Sequence, residues 1–270
     1  MLRIAVRVRR ADAELVLAEL LELAPNGVEE VDLGETVEYA VYGPPGELPA
    51  LPDLRAAAGA ALVDVSTEEI ADDWTERWRA FHQPLVLGDA ITVRPPWEPA
   101  RGTSIDLVID PGQAFGTGAH ATTRLCLELL LQLAPGGPFL DLGCGSGVLA
   151  IAAAKLGWDP VIAVDNDPAG IEATRANATV NGVALEVTRL DLRSDTLPAA
   201  DTVAANLLGP LLRTWAQGLG AMEWPQRVIA SGLLVSEADR IAEDFAAIGL
   251  KKIVRRADRE WAALVLERSP

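Results

Sequence analysis

Asp141-Leu142-Gly143-Cys144-Gly145-Ser146-Gly147 decides the fold. It follows the apolar run Phe139 to Asp141 and opens the helical run Val148 to Leu156. Glycines at such a strand-to-helix junction let the backbone approach a ligand closely, and the helix start presents free N–H groups. A dinucleotide loop would place glycines in the order Gly-x-Gly-x-x-Gly; here they fall at 143, 145 and 147, and the next position is Val148. The spacing departs from a pyrophosphate cradle.

Around this loop the chain alternates short apolar runs with Ala/Leu-rich helical ones. Strand candidates are Phe139 to Asp141, Val161 to Val164, Leu185 to Arg189, Thr202 to Ala205, Val228 to Ser231 and Ala262 to Glu267. That order predicts an α/β, doubly wound and mostly parallel sheet over residues 85–270. The second strand runs into Asp165, where a carboxylate can accept hydrogen bonds from both hydroxyls of a ribose. Its other reading is a turn or cap residue before Pro168. The glycine loop and this acid in register point to an adenosine-bearing ligand. The fourth strand leads into Asn206-Leu207-Leu208, so Asn206 either emerges at the ligand edge of the sheet or caps the helix that follows.

Upstream, Asp110 to Thr123 is a glycine-containing stretch, DPGQAFGTGAHATT, that includes one of the chain's two histidines. Its place beside the glycine loop makes it a candidate wall or lid. Further toward the N-terminus, Leu2, Ile4, Val6 and Val8 alternate with Arg3, Arg7 and Arg9, the period of a half-buried strand. Arg10 to Leu23 reads as a helix, Val28 to Leu33 and Val37 to Tyr42 as strands, Leu54 to Ala60 as a helix and Ala61 to Val65 as a strand. This β-α-β-β-α-β order resembles a small ferredoxin-like α+β domain over residues 1–66. Ile70, Trp74 and Trp78 then recur at helical spacing, predicting a linker helix over 67–84 that Pro84 closes.

Composition narrows the function classes. The 270 residues carry 39 Asp and Glu against 23 Lys and Arg, a formal charge of −16, which argues against nucleic acid as a direct partner and suits a basic protein. Cys126 and Cys144 form no Cys-x-x-Cys or metal-ligand spacing, and free thiols fit a reducing compartment. The N-terminus lacks a secretory apolar region and no apolar run is long enough to span a bilayer, so the expectation is a soluble, cytoplasmic protein with no membrane partner.

DPGQAFGTGAHATT, LDLGCGSGVLAIAAAKLG, AVDNDP and VAANLL together resemble the ribosomal protein L11 methyltransferase family, class I enzymes that use S-adenosyl-L-methionine. The resemblance implies a Rossmann-like seven-stranded sheet and cofactor contacts from Thr123, Gly143, Gly145, Asp165 and Asn206. It also implies that Phe115, Gly116 and Thr117 close over the methionine end. It further implies that the first domain docks ribosomal protein L11, and that lysine side-chain and N-terminal α-amino groups are methylated. Asn206 would orient the amine. With Leu207-Leu208 after it, in place of the Pro-Pro-aromatic sequence of base and amide methylases, nothing is provided to stack on a planar target. His120 is either a general base or a residue that fixes its loop by hydrogen bonding. A monomer is expected because a docking domain is already present. A lysine methyltransferase for another protein, a nicotinamide-dependent oxidoreductase and a non-catalytic adaptor are the competing readings. The glycine spacing opposes the oxidoreductase, and the intact loop, Asp165 and Asn206 oppose the adaptor.

Overall fold

Eight residues of alternating character, Leu2–Arg9, form β1, and the alternation sorts them by face. The computed structural model describes residues 2–24, 28–43, 48–69, 83–110, 120–219 and 224–268. The chain divides into two units, Met1–Phe81 and His82–Pro270.

In the first unit, β1 is followed by α1 (Ala13–Leu23), β2 (Glu29–Asp32), β3 (Thr36–Gly43), α2 (Leu51–Ala58) and β4 (Leu62–Glu69). The strands lie in the order β2-β3-β1-β4, every pair antiparallel. Ile4, Val6 and Val8 of β1 join Val37, Tyr39 and Val41 of β3 in a core with Val16, Leu20, Leu54 and Ala58 of the helices. On the polar side, Arg3 and Arg7 both donate to Glu38, at 2.6 and 2.7 Å. Two of the three arginines of β1 therefore share one carboxylate of their own sheet.

One expectation is corrected here. Thr67 to Glu69 are strand, not the start of a helix, pairing with Ile4, Arg3 and Leu2. β1 offers eight residues of unpaired edge, and satisfying that ladder outweighs the helical spacing that begins at Ile70. The remainder of the expected linker helix, with Trp74 and Trp78, falls at 70–82, outside the described residues.

The second unit opens with a three-stranded sheet that the sequence reading did not anticipate, β5 (Leu85–Leu87), β6 (Ile91–Arg94) and β7 (Ile105–Val108). Next come α3 (Ala121–Leu130), β8 (Phe139–Leu142), α4 (Val148–Leu156), β9 (Val161–Asp165), α5 (Pro168–Asn181) and β10 (Glu186–Arg189). The last group is β11 (Thr202–Asn206), α6 (Gly209–Leu219), β12 (Arg227–Leu234), α7 (Ala238–Ala246), β13 (Leu250–Asp258) and β14 (Trp261–Arg268). These seven strands form one sheet in the order β10-β9-β8-β11-β12-β14-β13, in which β14 runs antiparallel to both neighbours and the other pairs are parallel.

Both faces of this sheet are covered, which explains why its strands read as continuous apolar runs. Phe139, Ala163, Ala204 and Ile229 point into a core with α3, α4 and α5, while Leu140, Val164, Ala205 and Ala230 point into a second core with α6 and α7. Among the described residues no helix is long and apolar enough to cross a membrane.

Candidate active site

The chain order of the sheet reverses at β8, which has β9 on one side and β11 on the other. In an open α/β sheet the crevice beyond the strands' carboxyl ends at such a point is where ligands bind. Three predicted residues meet that rule: Gly143 follows β8, Asp165 ends β9 and Asn206 ends β11.

The glycine loop is pinned from both sides. The N–H groups of Gly143 and Cys144 donate to the Val164 carbonyl at 2.8 and 3.0 Å, tying the loop to the end of β9. Gly143 has φ +79°, a left-handed backbone that favours glycine, and a Cβ there would also displace the Leu207 side chain, whose Cδ2 would lie 2.5 Å away. From α5, the Thr174 hydroxyl donates to the Gly145 carbonyl at 2.9 Å and Asn177 Nδ2 donates to the Ser146 carbonyl at 2.9 Å.

Asp165 closes the floor. Its Oδ2 accepts the Gly145 N–H at 2.8 Å and its Oδ1 accepts the Asp167 N–H at 3.0 Å. Each carboxylate oxygen keeps further acceptor capacity, so a pair of ribose hydroxyls can be bound without breaking either bond. The turn reading and the ligand reading are thus compatible, because the bonds that shape the turn also hold the carboxylate still.

Asp141 is a site residue that the sequence reading quoted but gave no role. It is 1% exposed and its Oδ2 accepts the Ala150 N–H at 2.9 Å. The helix α4 needs this acceptor because its N-cap, Gly147, has no side chain to supply one. Burial pushes the Asp141 carboxyl up to about 7, against the help of the Ala150 bond, with the Asp165 charge adding to the rise. The free carboxyl titrates near 3.8, so between about pH 4 and about pH 7 the folded chain holds a proton that the unfolded chain has lost. This group therefore makes the fold less stable as pH rises through that window. Asp141→Asn keeps the acceptor and removes the titration, so the variant's stability relative to wild type should increase from about pH 4 to about pH 7 in denaturant melts and level off above that. A difference that is flat with pH would refute the assignment.

Across the crevice, Asn206 Nδ2 donates to Thr123 Oγ1 at 3.5 Å, a long bond from the end of β11 to the first turn of α3. The helix-cap reading of Asn206 fails: α6 starts at Gly209, and the Leu211 and Leu212 N–H groups donate to the Leu208 carbonyl. Asn206 Oδ1 is buried and has no hydrogen-bond partner among the described residues. A buried carbonyl oxygen without a donor costs free energy, so this one has acceptor capacity to offer an N–H or O–H group entering the site.

The structure shows how His120 fixes the start of α3. It is the N-cap of α3: its Nδ1 accepts the Thr122 N–H at 3.3 Å and lies 2.8 Å from the Thr122 hydroxyl, while Trp261 packs edge-on at 5.0 Å. Burial lowers its pKa, with Glu260 opposing. With Nδ1 engaged by the helix it holds, His120 fixes Thr122 and Thr123 in place. Cys126 and Cys144 are buried, and burial pushes the Cys126 thiol up to about 12, which leaves it unreactive. Phe115, Gly116 and Thr117 lie at 111–119, outside the described residues.

The residues present fit S-adenosyl-L-methionine: a narrow glycine loop, an acid suited to ribose hydroxyls and a buried carbonyl oxygen with acceptor capacity to offer. Comparison with known proteins agrees. The profile of the family described as ribosomal protein L11 methyltransferase (PrmA) matches residues 52–269. The ribosomal protein L11 methyltransferase of Pelotomaculum thermopropionicum is 40% identical over 207 residues, 74% of this chain and 67% of that protein. The protein of the same name from Parasynechococcus marenigrum is 36% identical over 234 residues, 82% of this chain and 81% of that one. The crystal structure of a ribosomal protein L11 methylase from Lactobacillus delbrueckii subsp. bulgaricus superposes with a TM-score of 0.63 at 26% identity, covering 70% of this chain and all of that one. A class I fold with Gly143, Asp165 and Asn206 at the carboxyl ends of adjacent strands thus sits in a chain that belongs to the ribosomal protein L11 methyltransferase family, enzymes that transfer methyl groups from S-adenosyl-L-methionine.

Proposed function

We propose that this chain methylates ribosomal protein L11 on aliphatic amines, lysine side chains and the N-terminal α-amino group. The observation that supports this reading most is the buried Asn206 Oδ1, unpartnered among the described residues. Bound S-adenosyl-L-methionine supplies a methyl group on a sulfonium, ready for in-line displacement by a nitrogen lone pair. The protein's share is orientation and desolvation.

In this reading Asp165 accepts the ribose hydroxyls, the Gly143 to Gly147 backbone lies against the cofactor, and Thr123 holds Asn206 at its amide nitrogen. Asn206 Oδ1 then accepts an N–H of the incoming amine and aims its lone pair. A lysine ammonium loses its proton readily here, because burial and a nearby positive charge both disfavour the charged form. No side chain has to act as a strong base. Phe115, Gly116 and Thr117 are proposed to border the methionine end, as the resemblance implies.

Docking is assigned to the first unit, with the segment up to residue 84 as its linker, and the net charge of −16 favours a basic substrate. The enzyme is proposed to work in the cytoplasm as a monomer, without direct nucleic-acid contact. The amine assignment is tested by S-adenosylhomocysteine release with native L11 and with L11 whose amines have been exhaustively acetylated. Release with native L11 alone is expected, and equal release with both would move the methyl acceptor to another atom type.

A further inference from the structure

We propose that Asn177, on the buried side of α5, is a positioning residue for the cofactor site: its carboxamide sets the spacing between the glycine loop and Asp110. The proposal rests on the methyl-transfer reading above. Asn177 is 2% exposed, and its two amide atoms serve two different segments. Nδ2 donates to the Ser146 carbonyl at 2.9 Å, and Oδ1 accepts the Asp110 N–H at 3.0 Å.

The arrangement is periodic. One helical turn on, Asn181 Oδ1 accepts the Val108 N–H at 2.9 Å and Asn181 Nδ2 donates to the Val108 carbonyl at 2.7 Å. Four helical residues rise about 6 Å. Two extended residues rise about 6.6 Å. The two carboxamides therefore match the repeat of the chain from Val108 to Asp110 and act as its surrogate strand partner. Asn181 Nδ2 also donates to the Asn177 carbonyl at 2.8 Å, which stiffens the pair.

The two asparagines differ in one respect that matters. Among the described residues the Asn181 side chain hydrogen-bonds to the Val108 backbone and its own helix, whereas Asn177 bonds to the glycine loop as well as to Asp110. Residue 110 begins the DPGQAFGTGAHATT stretch, so a single buried amide joins the start of that stretch to the backbone between Gly145 and Gly147. With the Asn177 donor lost, the loop keeps its bonds to Val164, Asp165 and Thr174 but loses the link that sets its spacing from Asp110.

The test titrates S-adenosyl-L-methionine calorimetrically into the full-length wild type, Asn177→Ala and Asn181→Ala, with thermal melts of each and turnover at saturating cofactor. Asn177→Ala is expected to bind the cofactor about tenfold more weakly. Asn181→Ala, despite a comparable loss in melting temperature, should stay within about twofold, and turnover at saturation should change by less than about threefold in both. An equal loss of affinity in the two variants, or none in Asn177→Ala, overturns the proposal. Should Asn177→Ala fail to fold, Asn177→Asp keeps the acceptor for Asp110 and cannot donate to Ser146, and the same affinity loss is expected of it. A wild type that binds no cofactor would instead overturn the methyl-transfer reading.

Discussion

Asp165→Ala should weaken S-adenosyl-L-methionine binding by about 100-fold or more, the largest affinity loss expected of any single substitution in the site. Each hydrogen bond from a ribose hydroxyl to a charged carboxylate contributes roughly 1.5–3 kcal/mol, and two are lost together. The structure adds a second cost, because the same carboxylate accepts the Gly145 N–H at 2.8 Å and the Asp167 N–H at 3.0 Å. Without it the glycine loop and the start of α5 lose their common anchor. Asp165→Asn separates the two effects: its remaining carbonyl oxygen can serve one of these partners, so its loss should be smaller than that of alanine. Calorimetric titration of both variants checks this, and unchanged affinity in Asp165→Ala would remove the adenosine assignment.

Asn206→Ala should act on turnover. Its Oδ1 makes no hydrogen bond among the described residues, so its removal leaves their packing nearly untouched, and the long 3.5 Å bond to Thr123 is a small further loss. What disappears is the acceptor that aims the amine, and misdirection of a nucleophile in an in-line displacement costs roughly 100-fold in rate. The expectation is a kcat lower by about that factor with cofactor affinity changed only a few-fold. A variant that loses affinity and keeps kcat would instead make Asn206 a cofactor clamp. Single-turnover measurement with preloaded cofactor distinguishes the two results.

The glycine loop, Asp165 and Asn206 were legible from sequence because each sits at the end of a short apolar strand, where chain order already implies location. What their side chains do once there was not. Whether Asn206 caps α6 depends on where that helix starts, which is Gly209, and its one side-chain partner among the described residues, Thr123, lies 83 residues away in sequence. Asp141 stands inside the quoted motif, yet its service to the Ala150 N–H follows only from the strand-to-helix geometry. Asn177 and Asn181 carry no local signal of this role, since an asparagine within a helix or at its last residue reads as a mild helix breaker or terminator until a strand is laid beside it.

Strands were missed for a different reason. β5, β6 and β7 have three or four residues each, too few to show a period, and glycines and prolines interrupt the chain around them. β13 is an edge strand whose Lys251, Lys252, Arg255 and Arg256 break any apolar alternation, with a register shift between Lys252 and Val254. Charges of this kind on an edge discourage pairing with another chain, and they hide the strand from pattern reading. The error at Thr67 to Glu69 runs the other way: local spacing suggested helix, and an eight-residue partner strand decided otherwise.

The most direct test of the account is intact-mass analysis of unmethylated ribosomal protein L11 incubated with this enzyme and S-adenosyl-L-methionine, with fragmentation to locate any gain. The account predicts mass gains in whole methyl units, confined to lysine side chains and the N-terminal amine. No gain on L11 by an enzyme that demonstrably binds the cofactor would contradict it, and would send the Asn206 site in search of a different amine.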